Sequence, residues 1–206
     1  MQAGNTVKHM RDSKEERILI QKVAEGDIES FELLILSCKD KAYGIALRYL
    51  KNEEDAMDAL QESFIKIYKG IANFNFESKF DTWVYRIVVN ACSDLYRKNK
   101  KNSQVLSMTS AYDEEEDGSE FDIKDKREGP EALNIRKEES GYLLKCLDML
   151  SDEHRTVIIL RDIKGFSYEE ISEILDCSLG TVKSRISRAR LRLKEIYIDG
   201  KNDEEI

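Results

Sequence analysis

The chain has 206 residues, 41% of them hydrophobic, and its 33 Lys+Arg against 41 Asp+Glu give a formal charge of −8. That length suits one large domain or two small ones, with enough apolar residues to bury a core. No apolar run approaches the roughly 18 residues that read as a transmembrane helix, and Cys38, Cys92, Cys146 and Cys177 stand too far apart for a CxxC or Cys/His metal cluster.

The cysteines are read as free thiols, buried or half-buried. His9 and His154 each lack a partner for catalysis. No phosphate-binding Gly-rich loop or catalytic triad pattern is present, so no catalytic residue, metal or cofactor is assigned. The N-terminal stretch MQAGNTVKHMRDSKEERILIQ is polar, without the apolar centre of a signal peptide, and a cytoplasmic location is expected. A single proline favours long helices, since Pro breaks helix interiors. Ile, Val and Tyr fall at helical spacing rather than alternating. The expected fold is all-α, two small helical domains joined by an acidic flexible linker. The expected boundaries are a flexible N-terminus at 1–17, a first domain at 18–101, the linker at 102–130, a second domain at 131–198 and a flexible acidic tail at 199–206.

In the first block, EDAMDALQESFIKIYKGI reads as a helix. Asn52 is its expected N-cap, and Glu53, Glu54 and Asp55 crowd the first turn, where the helix dipole favours negative charge. Ala56, Ala59, Leu60, Phe64 and Ile67 form one apolar stripe. Asp58, Gln61, Glu62 and Lys66 lie largely outside it, which pattern alone reads as a solvated face. In ANFNFESKFDTWVYRIVVNACSDLYRKNKKN, Phe74, Phe76, Phe80, Trp83 and Tyr85 cluster among Lys79, Arg86, Arg97, Lys98, Lys100 and Lys101. A helix is expected from Thr82 to Lys98, capped by Ser78 or Asp81. Its apolar side is Val84, Ile87, Val88, Ala91 and Leu95, with Arg86, Asn90, Asp94 and Arg97 along another side. Aromatics mixed with cations suit single-stranded nucleic acid, where bases stack on rings and phosphates pair with cations. Phe80 and part of Trp83 read as core, whereas Phe74 and Phe76, in a loop, fit a core less well.

The acidity is local. Residues 104–140 carry 5 basic and 12 acidic residues, and 199–206 carry 1 and 4, so these segments hold the excess negative charge. SMTSAYDEEEDGSEFDIKDKREGPE has few large apolar residues to offset its ordering entropy, hence the linker reading.

In the second block a helix is expected over Leu133–Leu150, and another from Ser151 to Ile163, stopped by Gly165. Ser167 and Glu170 form a capping box for a short helix with Ile171, Ile174 and Leu175 on its apolar face. Cys177-Ser178-Leu179-Gly180 is the expected break. A further helix has Val182, Ile186, Ala189 and Leu193 on its buried side. This is a helix-turn-helix pattern. GTVKSRISRARLRL carries Lys183, Arg185, Arg188, Arg190 and Arg192 and no acid. Such a helix can reach phosphates or guanine edges in a major groove.

Together these residues resemble a bacterial RNA polymerase sigma factor of the extracytoplasmic-function (ECF) subfamily of the sigma-70 family. SFELLI, LRYLKNEEDAMDALQESFIKIYKGI and FDTWVYRIVVNACSDLYRK resemble sigma region 2, and HRTVIILRDIKGFSYEEISEILDCSLGTVKSRISRARLRL resembles region 4. The resemblance implies a non-enzymatic initiation factor that binds core polymerase through the β′ clamp and β flap, selects promoters and nucleates their opening. It implies core binding by Asp55, Asp58, Gln61 and Glu62. It implies −10 element contacts by Phe74, Asn75, Lys79, Thr82, Trp83, Arg86, Asn90, Asp94, Arg97 and Lys98, and −35 element contacts by Thr181, Lys183, Ser184, Arg185 and Arg188. The implied partners are promoter DNA, the polymerase core and a membrane-anchored anti-sigma factor, with no small-molecule substrate. The acidic run Asp113, Glu114, Glu115, Glu116 and Asp117 is expected either to enter the polymerase's nucleic-acid channels as a mimic or to act as a solvated tether. The alternative function is a conventional helix-turn-helix regulator that acts without polymerase core binding.

Overall fold

The computed structural model describes residues 13–107 and 141–204. The linker from residue 108 on, including Asp113 to Asp117, and the expected helix before residue 141 lie outside the described residues. Every described regular element is helical, with no strand among them, and the chain divides into two compact units. The first runs to Leu106; the second, from Ser107 on, holds all but three residues of the later helices.

The first unit is built from α1 (Ser13–Ala24), α2 (Ile28–Leu36), α3 (Lys39–Leu50), α4 (Glu53–Gly70), a 3-10 turn (Ile71–Asn73) and α5 (Phe80–Ser107). α1 packs on α2 and on the 3-10 turn, and α3 packs on α4. Asp27 starts α2: its Oδ1 accepts from the Glu29 and Ser30 amides at 3.1 and 3.4 Å, and its Oδ2 from the Ser30 hydroxyl at 2.6 Å. The Ser30 hydroxyl first, then the two amides and nearby Lys22, hold the Asp27 carboxyl below its ordinary range. A lowered folded-state pKa stabilises above the unfolded value, and that contribution disappears as pH falls through the folded value. Asp27→Asn is therefore expected to flatten the acid limb of a thermal-stability profile below about pH 4; an acid limb identical to that of the parent refutes the linkage.

α4 begins as its sequence dictates, with Asn52 Oδ1 accepting from the Asp55 amide at 3.0 Å. Ala56, Ala59, Leu60 and Ile67 are buried as expected. Phe64 is only half-buried; Ser63 takes the core position, its hydroxyl donating to the Ala59 carbonyl at 2.6 Å. That bond satisfies the buried hydroxyl within its own helix. Leu34, Ile45, Tyr49, Phe80, Val84 and Val88 complete the core. Cys38, Cys92 and Cys146 are buried free thiols and Cys177 is half-buried; burial pushes the Cys92 thiol up to about 12.

In the first unit, three boundaries differ from expectation. α1 starts at Ser13, inside the stretch expected to be flexible, because Glu15 and Glu16 suit a helix first turn and Ile20 and Val23 enter the core. α5 starts at Phe80 and is capped by neither Ser78 nor Asp81; the Trp83 amide bonds to the Lys79 carbonyl at 3.1 Å, while Asp81 accepts from the Ser37 hydroxyl at 3.3 Å. α5 then continues through residues 102–107, expected as linker, with no Gly or Pro to stop it.

The second unit holds α6 (141–148), α7 (Asp152–Ile158) continuing as a π-helical turn (Ile159–Ile163), α8 (Tyr168–Leu175) and α9 (Leu179–Glu204). Ser151 caps α7, and Gly165, at φ +71°, ends the π turn. The capping box forms: the Glu170 amide donates to Ser167 Oγ at 3.1 Å and the Ser167 amide to Glu170 Oε2 at 2.8 Å. Ile171, Ile174, Val182, Ile186 and Ala189 are buried; Leu193 is half-buried. The break lies at 176–178, since Leu179 and Gly180 already belong to α9 and Ser178 Oγ accepts from the Thr181 amide at 3.1 Å. α9 also runs into the expected flexible tail. Just before that tail Ile196 is buried and Tyr197 packs edge-on with Tyr142 at 5.1 Å, which docks this part of the helix on α6.

Candidate nucleic-acid and polymerase interfaces

α9 turns its apolar stripe inward through Val182, Ile186 and Ala189, which leaves its polar positions outside. The cations there are not equivalent. Lys183 and Arg188 are exposed and form no ion pair among the described residues. Arg185 is half-buried and its Nε lies 3.4 Å from Glu153 Oε2 of α7. Arg190 is clamped by Asp162 of the π turn, Nε to Oδ2 at 3.1 Å and Nη2 to Oδ1. This two-point bond raises the Arg190 pKa, so Arg190 serves as a strut between α9 and the turn before α8. Arg192 pairs with Glu195 at 3.1 Å. Thr181 and Ser184 are engaged locally: Thr181 Oγ1 lies 2.8 Å from Ser178 Oγ, and the Ser184 hydroxyl donates to the Thr181 carbonyl at 3.0 Å. The positions freest to meet a phosphate or base edge are Lys183 and Arg188.

The loop after α4 sorts its aromatics sharply. Phe74 is 7% exposed and packs against Phe76, Trp83 and Phe80 at centroid distances of 4.9, 5.2 and 5.9 Å. Thr82 is buried as well. Both belong to the set expected to contact the −10 element; Phe74 is buried where the Phe80 and Trp83 rings, from the start of α5, pack on it. Trp83 is half-buried, its ring edge against Gly70, where an added Cβ would meet Trp83 Cζ2 at 3.6 Å. Phe76, absent from the expected set, is the loop aromatic that faces outward, at 39% exposed. No periodicity rule distinguishes Phe74 from Phe76 in a loop. Asn75 and Lys79 are exposed, with Asn75 Oδ1 accepting from the Glu77 amide at 3.3 Å. Along α5, Asn90, Asp94, Arg97 and Lys98 are exposed and Arg86 is half-buried; Asp94 lies 3.8 Å from Arg97 and offsets its charge.

On α4, Asp58, Gln61 and Glu62 are exposed, and Glu62 pairs with Lys66 at 2.7 Å. Asp55 is half-buried and accepts from Asn99 Nδ2 of α5 at 2.9 Å. Gln61 also lines an apolar groove of about 760 Å³, with Ile28, Phe31, Tyr43, Met57, Phe64 and Ile65 among others. Met57 and Ile65 are exposed despite their size, so the face mixes an acidic ridge with an apolar trough. Arg155, which the sequence reading passed over, is fully buried in α7 with Nη2 donating to Asp152 Oδ1 at 2.9 Å; it belongs to the core.

Residues 34–102 match the family model described as Sigma-70 region 2, and residues 140–193 match Sigma-70, region 4. The chain is 34% identical over 182 residues to the RNA polymerase sigma-H factor of Pseudomonas aeruginosa, covering 88% of this chain and 93% of that protein. It is 34% identical over 187 residues to the ECF RNA polymerase sigma-E factor of Haemophilus influenzae, covering 88% and 94%. A solved structure of the sigma factor RpoE in complex with the anti-sigma factor NepR from Bartonella quintana is similar, with a TM-score of 0.56, 28% identity and coverage of 82% of this chain and 97% of that one. CnrH, solved with the cytosolic domain of CnrY, shares the fold at a TM-score of 0.61 and 24% identity, covering 90% and 97%.

Proposed function

The chain belongs to the ECF subfamily of the sigma-70 family and is an alternative sigma factor that directs RNA polymerase, and from that premise we propose how its two units divide the work. The first unit binds the polymerase core with the acidic ridge of α4 and captures the −10 element with the loop after α4 and the exposed side of α5. The second unit reads the −35 element with α9. The observation that carries this reading is that Lys183 and Arg188, on the second helix of a helix-turn-helix, are exposed and form no ion pair among the described residues. Cations so placed supply the phosphate attraction and the guanine contacts that a major-groove helix needs. The protein performs no covalent chemistry itself; catalysis belongs to the polymerase. It acts in the cytoplasm and is held inactive by a membrane-anchored anti-sigma factor, a partner class in keeping with the RpoE–NepR complex.

The test is run-off transcription with bacterial core polymerase on a library of host promoters, with and without the protein. Protein-dependent transcripts that share spaced −35 and −10 elements are expected. Tight operator binding without core, and no transcripts, would replace this reading with a conventional helix-turn-helix regulator.

Core binding by α4 makes a separate prediction. The double reversal Asp58→Lys with Glu62→Lys replaces complementary charge by like charge toward a basic partner. Like-charge juxtaposition costs several kcal/mol, so core association is expected to weaken about 10–100-fold, read by anisotropy of the labelled protein. Both sites are exposed, so folding stability is expected to stay within about 0.5 kcal/mol. Unchanged core affinity would remove the α4 ridge from the interface.

A further inference from the structure

We propose that Arg17 of α1 is a positioning residue for promoter opening, holding Phe76 in the conformation that receives a base of the melted strand. This rests on the −10 reading above. α1 lies outside residues 34–102, the part of the chain that matches sigma region 2.

Phe76 has φ +61°. The left-handed region is a strained place for a bulky side chain and persists only where neighbours over-determine it. Two neighbours do so. The Phe74 ring lies beneath at 4.9 Å, tilted by 60°. The Arg17 guanidinium lies over the Phe76 ring with its carbon 4.6 Å from the centroid. Phe74 is itself fixed in the core, and α1 is fixed by its packing on the 3-10 turn and by buried Ile20 and Val23. The loop aromatic is thus held by a ring from its own segment and a cation from a helix distant in sequence. Arg17 is exposed and forms no ion pair among the described residues, so its charge is available beside the ring. With the ring held outward, a base can stack on Phe76, and the charge beside it attracts the adjoining phosphate. Exposed Asn75 and Lys79 flank Phe76 in the same loop.

The experiment uses the full chain with core polymerase. Opening is read by 2-aminopurine fluorescence in the non-template −10 strand, and strand capture by the affinity of the holoenzyme for a single-stranded non-template −10 oligonucleotide. Arg17→Ala is expected to weaken capture and opening about 10-fold, in line with the loss of one stacking contact, with core binding and −35 duplex binding unchanged. Arg17→Lys is expected to restore most of the loss, because an ammonium also sits favourably over a ring. In a Phe76→Leu background, Arg17→Ala is expected to add no further loss, the signature of two residues acting as one. Opening by Arg17→Ala equal to the parent overturns the proposal, as does an additive loss in the Phe76→Leu background. Loss of core binding in Arg17→Ala makes the residue merely structural and overturns it too. If Phe76→Leu itself opens promoters normally, the −10 reading of the loop fails as well; if Phe76→Leu is defective and Arg17→Ala is not, only the role of Arg17 falls.

Discussion

Phe74→Ala is expected to destabilise the first unit by about 3–5 kcal/mol, the usual cost of truncating a buried phenylalanine. For a unit of this size that lowers its unfolding midpoint by more than about 12 °C, read by calorimetry on the full chain. Phe74 is 7% exposed and meets three aromatic rings, so its removal leaves a cavity that rigid neighbours cannot fill. Phe76→Ala is expected to do the reverse. With its ring 39% exposed against 7% for Phe74, less burial is lost, and the midpoint falls by clearly less than in Phe74→Ala. Promoter opening falls instead, by roughly 5–150-fold, because base–aromatic stacking is worth about 1–3 kcal/mol. The two variants therefore separate fold from function within three residues of chain. A stable Phe74→Ala protein with an opening defect would return Phe74 to the DNA surface and overturn the assignment made from burial.

The second large effect lies on α9. Replacing both Lys183 and Arg188 by Ala is expected to weaken holoenzyme binding to a promoter bearing its −35 element by at least about 30-fold, from about 1–3 kcal/mol per good base contact. If either residue contacts phosphate instead, its loss weakens binding evenly across sequences and lowers the salt slope by about 1. Comparing matched and scrambled −35 DNA across a salt series distinguishes the two roles. Arg190→Ala should behave differently. Its guanidinium is committed to Asp162, so its loss frees α9 from the π turn and lowers the stability of the second unit along with binding. If the double variant bound both DNAs as the parent does, α9 would not be the reading helix.

Much of this protein was legible in its sequence. The caps at Asn52 and Ser167 form as read, because a capping hydroxyl or amide bonds to an amide three residues away and needs nothing distant. The stripe of Val182, Ile186 and Ala189 is buried as read, because helical period alone places those residues on one face. The helix-turn-helix was visible for the same reason, since its two helices are adjacent in the chain. Paired with the motifs of the first block, it was enough to identify the family.

What only the tertiary structure decided are the contacts between elements far apart in sequence. A loop has no period, so the sequence could not say that Phe74 is buried and Phe76 exposed; the packing of the Phe80 and Trp83 rings on Phe74 decides it. A run of five cations looks uniform until Glu153 meets Arg185, Asp162 meets Arg190 and Glu195 meets Arg192, leaving Lys183 and Arg188 with no ion pair among the described residues. Asp55 reads as one more acid of an exposed face until Asn99 arrives from α5. Arg17 looks like a stray charge until α1 lays it on the Phe76 ring. Local bonding and periodicity are written in neighbouring residues, whereas the partner of an exposed charge or loop ring depends on which other element the core draws alongside it.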